Sequence, residues 1–142
     1  MAESRGIRVL KGVGIWLPTV VLGLLFIMQG VMKLQPGSPW IGMFERFGYP
    51  AGSRLLIGAA ELAGGIALFV PAVAGLGALV LAVVMLGAAA THLVMGETIN
   101  TGFTLVLAIT LGALAWVRRP TAGWRRQALD RSAPSRSNEV AS

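Results

Sequence analysis

Long uncharged runs alternate with short polar breaks along this chain. Gly12–Met32 carries no charged side chain, and neither does Thr98–Val117. Each run has about the 20 residues that a helix needs to cross a bilayer's hydrocarbon core. Between them, Leu55–Gly96 contains a single carboxylate, Glu61. As one helix that stretch would run roughly 63 Å, about twice the hydrocarbon thickness. Pro71 divides it. The pattern therefore predicts four spans, at about Gly12–Met32, Leu55–Val70, Val73–Met95 and Thr98–Val117, with Gly96-Glu97 as a tight turn between the last two.

The first connection has its own pattern. Pro36, Gly37 and Pro39 break the first helix. Trp40, Met43, Phe44 and Phe47 then recur at helical spacing, with Glu45 and Arg46 on the other side. This predicts a short amphipathic helix suited to the membrane interface. An aromatic cap over the bundle satisfies the same pattern. Gly48-Tyr49-Pro50 ends it. The basic flank Arg5–Lys11 has the character of a signal peptide's start, but Lys33-Leu34-Gln35-Pro36 follows the apolar run instead of a small-x-small cleavage site, so a retained helix is expected. The expected fold is all-α: an integral membrane four-helix bundle over residues 1–117, with an interfacial helix between the first and second spans. Residues 118–142, rich in Ser, Arg, Ala and Pro, are expected to be a disordered basic tail.

Composition supports membrane burial. Hydrophobic residues make up 55% and charged residues 13%, about half the charge of a soluble domain. The net charge of +6 invites a nucleic-acid reading. Its distribution argues otherwise. Arg5, Arg8 and Lys11 precede the first span, and Arg118, Arg119, Arg125, Arg126, Arg131 and Arg136 follow the last. Flanking cations set orientation and attract anionic lipid. Both termini are expected on the cytoplasmic side, and no nucleic-acid partner is expected. Lys33, Arg46 and Arg54 then lie on the outer side, against the trend. The chain has no Cys and one His. That removes thiol chemistry, iron–sulfur clusters, bis-histidine haem and multi-histidine zinc within the chain. No intrinsic metal or cofactor is expected. Gly75-Leu76-Gly77 lacks both the strand and the third glycine of a dinucleotide-binding turn.

The polar groups inside the spans converge on one half of the bundle. Glu61 lies six residues into the second helix, where an ionisable group costs several kcal/mol unless it is paired, hydrated or used. Lys33 ends the first helix with Gln29 one turn below it. Arg54 shares a helical face with Glu61. His92 is near the end of the third helix, and Asn100 and Thr104 share a face near the start of the fourth. Each has a plainer alternative: Lys33 snorkelling to headgroups, His92 bonding a neighbour, Asn100 capping its helix, Glu61 locking the bundle through an ion pair. Together Glu61, Lys33, His92, Gln29, Asn100 and Arg54 form a candidate ligand-binding or proton-exchanging cluster. Small residues at four-residue spacing (Ala60 with Gly64; Ala59, Ala63 and Ala67; Ala108 with Gly112) predict faces for close helix approach.

Gly30-x-x-Lys33-Leu34, the aromatic connection ending in Gly48-Tyr49-Pro50, Gly58-x-x-Glu61-Leu62-x-Gly64-Gly65 and the terminal His92 together resemble the DoxX family of small four-helix bacterial membrane proteins. The likeness covers roughly Gly12–Val117. After the fourth span, Arg118-Arg119-Pro120 stands where the family's fuller pattern has a different segment. The resemblance implies a bacterial inner-membrane protein and a loose association with redox systems, since relatives include a membrane subunit of thiosulfate:quinone oxidoreductase. Three functions compete. One is a quinone- or lipid-like ligand site in the outer leaflet, dependent on a redox partner for any chemistry. Another is an accessory subunit of a larger membrane complex. The third is transport, for which four helices without a repeat would need a homo-oligomer. No nucleophile–base pair is present, so no free-standing enzyme is expected.

Overall fold

The computed structural model describes residues 5–119, with side-chain environments from residue 13 onward. Five helices follow one another: α1 (Arg5–Leu34), α2 (Trp40–Arg46), α3 (Ser53–Ala67), α4 (Ala74–Val94) and α5 (Thr98–Val117). The described residues contain no strand. The expected tail, 118–142, lies almost wholly outside the described residues.

Two glycine-capped helix ends shape the part of the bundle next to α2. Gly48 and Gly96 sit at φ 74° and 72°, a conformation that costs glycine little and other residues more. Each ends its helix in the same way. After α2, the Gly48 and Tyr49 N–H groups donate to the Glu45 and Phe44 carbonyls. After α4, those of Gly96 and Glu97 donate to the Leu93 and His92 carbonyls. These paired bonds satisfy the last carbonyls of the helix. They also turn the chain sharply enough to set Glu97 beside His92.

Three stretches are long and apolar enough to cross a membrane: Val13–Leu34, Ala74–Val94 and Thr98–Val117. α3 has 15 residues, about 22 Å of helix, and falls short of that length. The second predicted span is therefore the one the structure shortens: helix stops at Ala67, and turns carry the chain to Val73. The fourth predicted span coincides with α5.

α3 lies between α1 and α4 at very close range, because glycines face its neighbours. A Cβ on Gly30 would lie 2.6 Å from the Leu62 nitrogen and 2.7 Å from the Gly58 carbonyl. One on Gly65 would lie 3.0 Å from the Gly23 carbonyl. On the far side of α3, a Cβ on Gly77 would lie 3.0 Å from the Gly64 carbonyl. The working stripe is thus Gly23 and Gly30 against Gly58 and Gly65, at seven-residue spacing. Of the predicted faces, Gly64 and Ala67 do meet α4, whereas Ala59 and Ala63 are exposed.

α5 packs on α4 and closes toward α1 at the end remote from α2. There the core is dry and filled: Leu22, Phe26, Leu68, Leu81, Met85, Leu111 and Leu114 belong to one buried cluster. Arg118 seals it, its Nη2 donating to Thr19 Oγ1 at 3.0 Å. The Thr19 hydroxyl in turn donates to the Ile15 carbonyl at 2.6 Å. Outside, large apolar side chains such as Leu24, Val83, Val94, Ile99 and Ile109 are exposed. An apolar exterior around a small, partly polar interior is the arrangement suited to lipid.

Candidate functional site

The end of the bundle next to α2 is built differently. Gly30 and Gly58 bring α1 and α3 so close that a Cβ on Gly58 would lie 2.8 Å from Lys33 Cβ. That approach sets Lys33 against Glu61. Lys33 Nζ donates to Glu61 Oε2 at 2.7 Å. Both residues are almost wholly buried, at 5% and 2% exposure. Lys33 Nζ also lies 3.9 Å from the centre of the Trp40 ring, whose face attracts a cation. A carboxylate and an ammonium out of water each carry a solvation penalty of several kcal/mol, offset here by their mutual contact.

The pair stands on the wall of a cavity of about 390 Å³. Gln29 and Lys33 of α1, Glu61 of α3, Thr91 and His92 of α4, and Asn100 and Thr104 of α5 supply its polar groups. Phe26 and Met85 lie at its boundary with the dry core. Trp40, Met43 and Phe44 of α2, with Phe47 and Tyr49 of the turn after it, close it from that side. The apolar face of α2 is therefore turned onto the cavity, as an aromatic cap.

Glu97 ties that cap down. Its Oε1 accepts from Arg46 of α2 at 2.9 Å. Its Oε2 accepts from Asn100 Nδ2 at 2.8 Å and lies 2.7 Å from His92 Nδ1. The Asn100 bond, then the His92 contact, and more weakly the Arg46 charge hold the Glu97 carboxyl below its ordinary value of 4.5. His92 also meets Phe47 edge-on at 5.6 Å. Tyr49 and Thr91 share a hydroxyl–hydroxyl bond of 2.6 Å. The cap is thus held at three places: Trp40 over Lys33, Arg46 on Glu97, Tyr49 on Thr91.

Of the six residues expected to cluster, Lys33, Glu61, Gln29, His92 and Asn100 line the one cavity. Arg54 does not. Its Nη1 donates to the Gln35 carbonyl at 3.3 Å, bracing the α1–α2 connection. Asn100 bonds the Glu97 side chain rather than a free backbone N–H. Glu97 is the residue that sequence reading passed over as part of a turn. Its signals were its position after a turn glycine, five residues past His92 and three before Asn100. The described residues hold no group of three or more His, Cys, Asp or Glu placed to bind a metal. What the arrangement offers is a buried proton donor–acceptor pair and several neutral hydrogen-bonding groups around an apolar void.

No curated protein and no solved structure matches the chain. The sequence model of one family matches residues 17–116, which contain the glycine stripe, the Lys33–Glu61 pair, the cap and Glu97. The chain belongs to the DoxX-like family.

Proposed function

We propose that this protein crosses the bacterial inner membrane four times and holds a quinone- or lipid-like ligand in the cavity under α2, working with a redox partner rather than as an enzyme by itself. One observation carries the reading: a mostly apolar cavity of about 390 Å³ has a buried ion pair at its wall. Ligand pockets combine a mostly apolar lining with a few convergent polar groups. A cavity inside a small bundle also leaves aromatic and aliphatic surface without neighbours, which a purely structural subunit has no reason to keep.

In this reading α3 is the fourth crossing. It is short, but α1 and α4 flank it, so little of its backbone depends on lipid of full thickness. The basic ends, Arg5–Lys11 and Arg118 onward, favour cytoplasmic termini, and in that orientation the cavity would face the outer leaflet. The Lys33–Glu61 pair would orient a head group and exchange protons with it. Electrons would come from the partner, since no metal group or thiol is present among the described residues.

The test is native mass spectrometry of the protein released from its own membranes. An amphiphile that co-purifies with the wild type and with Val83→Ala, an exposed control, but not with Glu61→Ala, supports the site. A ligand-free protein recovered in stable complex with other membrane subunits would favour the accessory-subunit reading.

A further inference from the structure

The charges around the cavity narrow what fits inside it, granted the ligand site proposed above. Among the described residues, three ionisable side chains of Lys, Arg, Asp, Glu or His type line it: Lys33, Glu61 and His92. Lys33 and Glu61 are 2.7 Å apart and nearly inaccessible. His92 turns Nδ1 to Glu97 at 2.7 Å. Outside the lining, Arg46 is bound to the same Glu97, and Arg54 is engaged with the Gln35 carbonyl. Each of these groups already has an internal partner. The remaining polar groups are neutral: the Gln29 amide one turn from Lys33, the Asn100 carbonyl oxygen, and the hydroxyls of Tyr49, Thr91 and Thr104.

We infer that the cavity selects amphiphiles whose head group is uncharged and carries carbonyl or hydroxyl oxygens, and rejects carboxylates, phosphates and quaternary ammonium heads. An anionic head competes with Glu61 for Lys33 and leaves a buried carboxylate without its cation. A cationic head competes with Lys33 for Glu61 and strands the ammonium. Either exchange exposes one ion of a buried pair to an apolar wall, the costly way to break such a pair. A neutral carbonyl accepts a further hydrogen bond from Lys33 or Gln29 while the pair stays whole. Its tail would leave past Phe103, which lines the cavity and is also 59% exposed.

The experiment uses the full chain in nanodiscs of zwitterionic lipid and three probes with the same ten-carbon tail: a decyl-substituted benzoquinone, decanoate and decyltrimethylammonium. The quinone probe should bind saturably, and the charged probes at least about tenfold more weakly. Equal or tighter binding of either charged probe overturns the neutral-head rule and leaves the pocket standing. Failure of all three to saturate overturns the rule and the pocket together. In Glu61→Gln, Lys33 loses its carboxylate partner, so the preference should move toward decanoate. A folded Glu61→Gln protein that keeps the wild-type order shows that the ion pair does not set the selectivity. The wild-type panel decides the rule by itself if this variant does not fold.

Discussion

The two ends of the bundle use one set of helices to opposite purpose. At the end remote from α2, leucines at 22, 68, 81, 111 and 114 fill the centre, and the polar contact is the Arg118–Thr19 seal. At the α2 end the same helices carry Gln29, Lys33, Glu61, His92 and Asn100 around a void. The difference does not come from looser backbones. α1 and α3 are in closest contact at Gly30–Gly58, right beside the cavity. It comes from what the other side chains do. Leucines interdigitate, while a rim of aromatics spans the opening, braced by Trp40 on Lys33, Tyr49 on Thr91 and Arg46 on Glu97. One end is stable by filling, the other by a polar framework held open.

That contrast can be broken first at the framework. Glu61→Leu leaves Lys33 buried without its anion and should destabilise the protein by about 3–5 kcal/mol. Lys33→Met should do much the same. The double variant should recover most of the loss, since replacing both ions by apolar groups is often neutral. Unfolding in mixed micelles titrated with dodecyl sulfate measures each loss. Additive losses in the double variant would mean that the two residues act separately.

The two interiors can also be probed by the same kind of truncation. Leu111 is fully buried in the dry cluster, so Leu111→Ala should cost about 3 kcal/mol through lost burial and a new cavity. Ile57 lines the existing void, so Ile57→Ala adds to a space already there and should cost about 1 kcal/mol. The same unfolding titration reads both. Equal losses would show that the cavity closes in solution.

Sequence made the dry end and the polar convergence legible for different reasons. Charge-free runs marked α1, α4 and α5 because length and apolarity are properties of one segment. Glu61 stood out because a carboxylate in lipid is costly wherever its partner lies. The choice of Lys33 over Arg54 and His92 was not legible, since it depends on two glycines meeting across helices. The close-approach faces were legible only in part for the same reason. Four-residue spacing picked out Gly64 and Ala67, which do meet α4, but also Ala59 and Ala63, which are exposed, and it missed Gly23 and Gly30 opposite Gly58 and Gly65. The short α3 escaped because hydropathy continues past Ala67 although the helix does not. Glu97 escaped because its partners, Arg46 and His92, come from α2 and α4.

The glycine contact offers a third, smaller test. Gly30→Ala puts a methyl against backbone atoms that cannot move without separating α1 from α3, and should cost about 2 kcal/mol. Gly112 has nothing within 4 Å of an added Cβ. Gly112→Ala should instead stabilise α5 by up to about 1 kcal/mol from helix propensity. Thermal melts of the two variants should move in opposite directions. Gly30→Ala should also weaken any ligand bound beside Lys33, which Leu111→Ala should leave nearly unchanged.

The smallest effect concerns how the open end is fastened, and it should depend on pH. Glu97 is held below its ordinary value of 4.5 by Asn100, His92 and Arg46. A carboxyl whose folded value is depressed binds its proton more readily in the unfolded chain. Its contribution is therefore fully present above about pH 4.5 and fades as the pH falls through the lowered folded value. The melting temperature of the wild type should drop over that window faster than that of Glu97→Gln, which has no such proton to take up. At neutral pH the variant should melt slightly lower, because Arg46 loses an anionic partner at an exposed site. Proteolysis of the α2 connection should separate local from global effects. If Glu97 fastens only the cap, cleavage near Trp40–Tyr49 should rise in Glu97→Gln at neutral pH while cleavage of α4 and α5 stays at the wild-type rate. Parallel acid melts of the two proteins, with no change in cleavage, would show that Trp40 and Tyr49 hold the cap without Glu97.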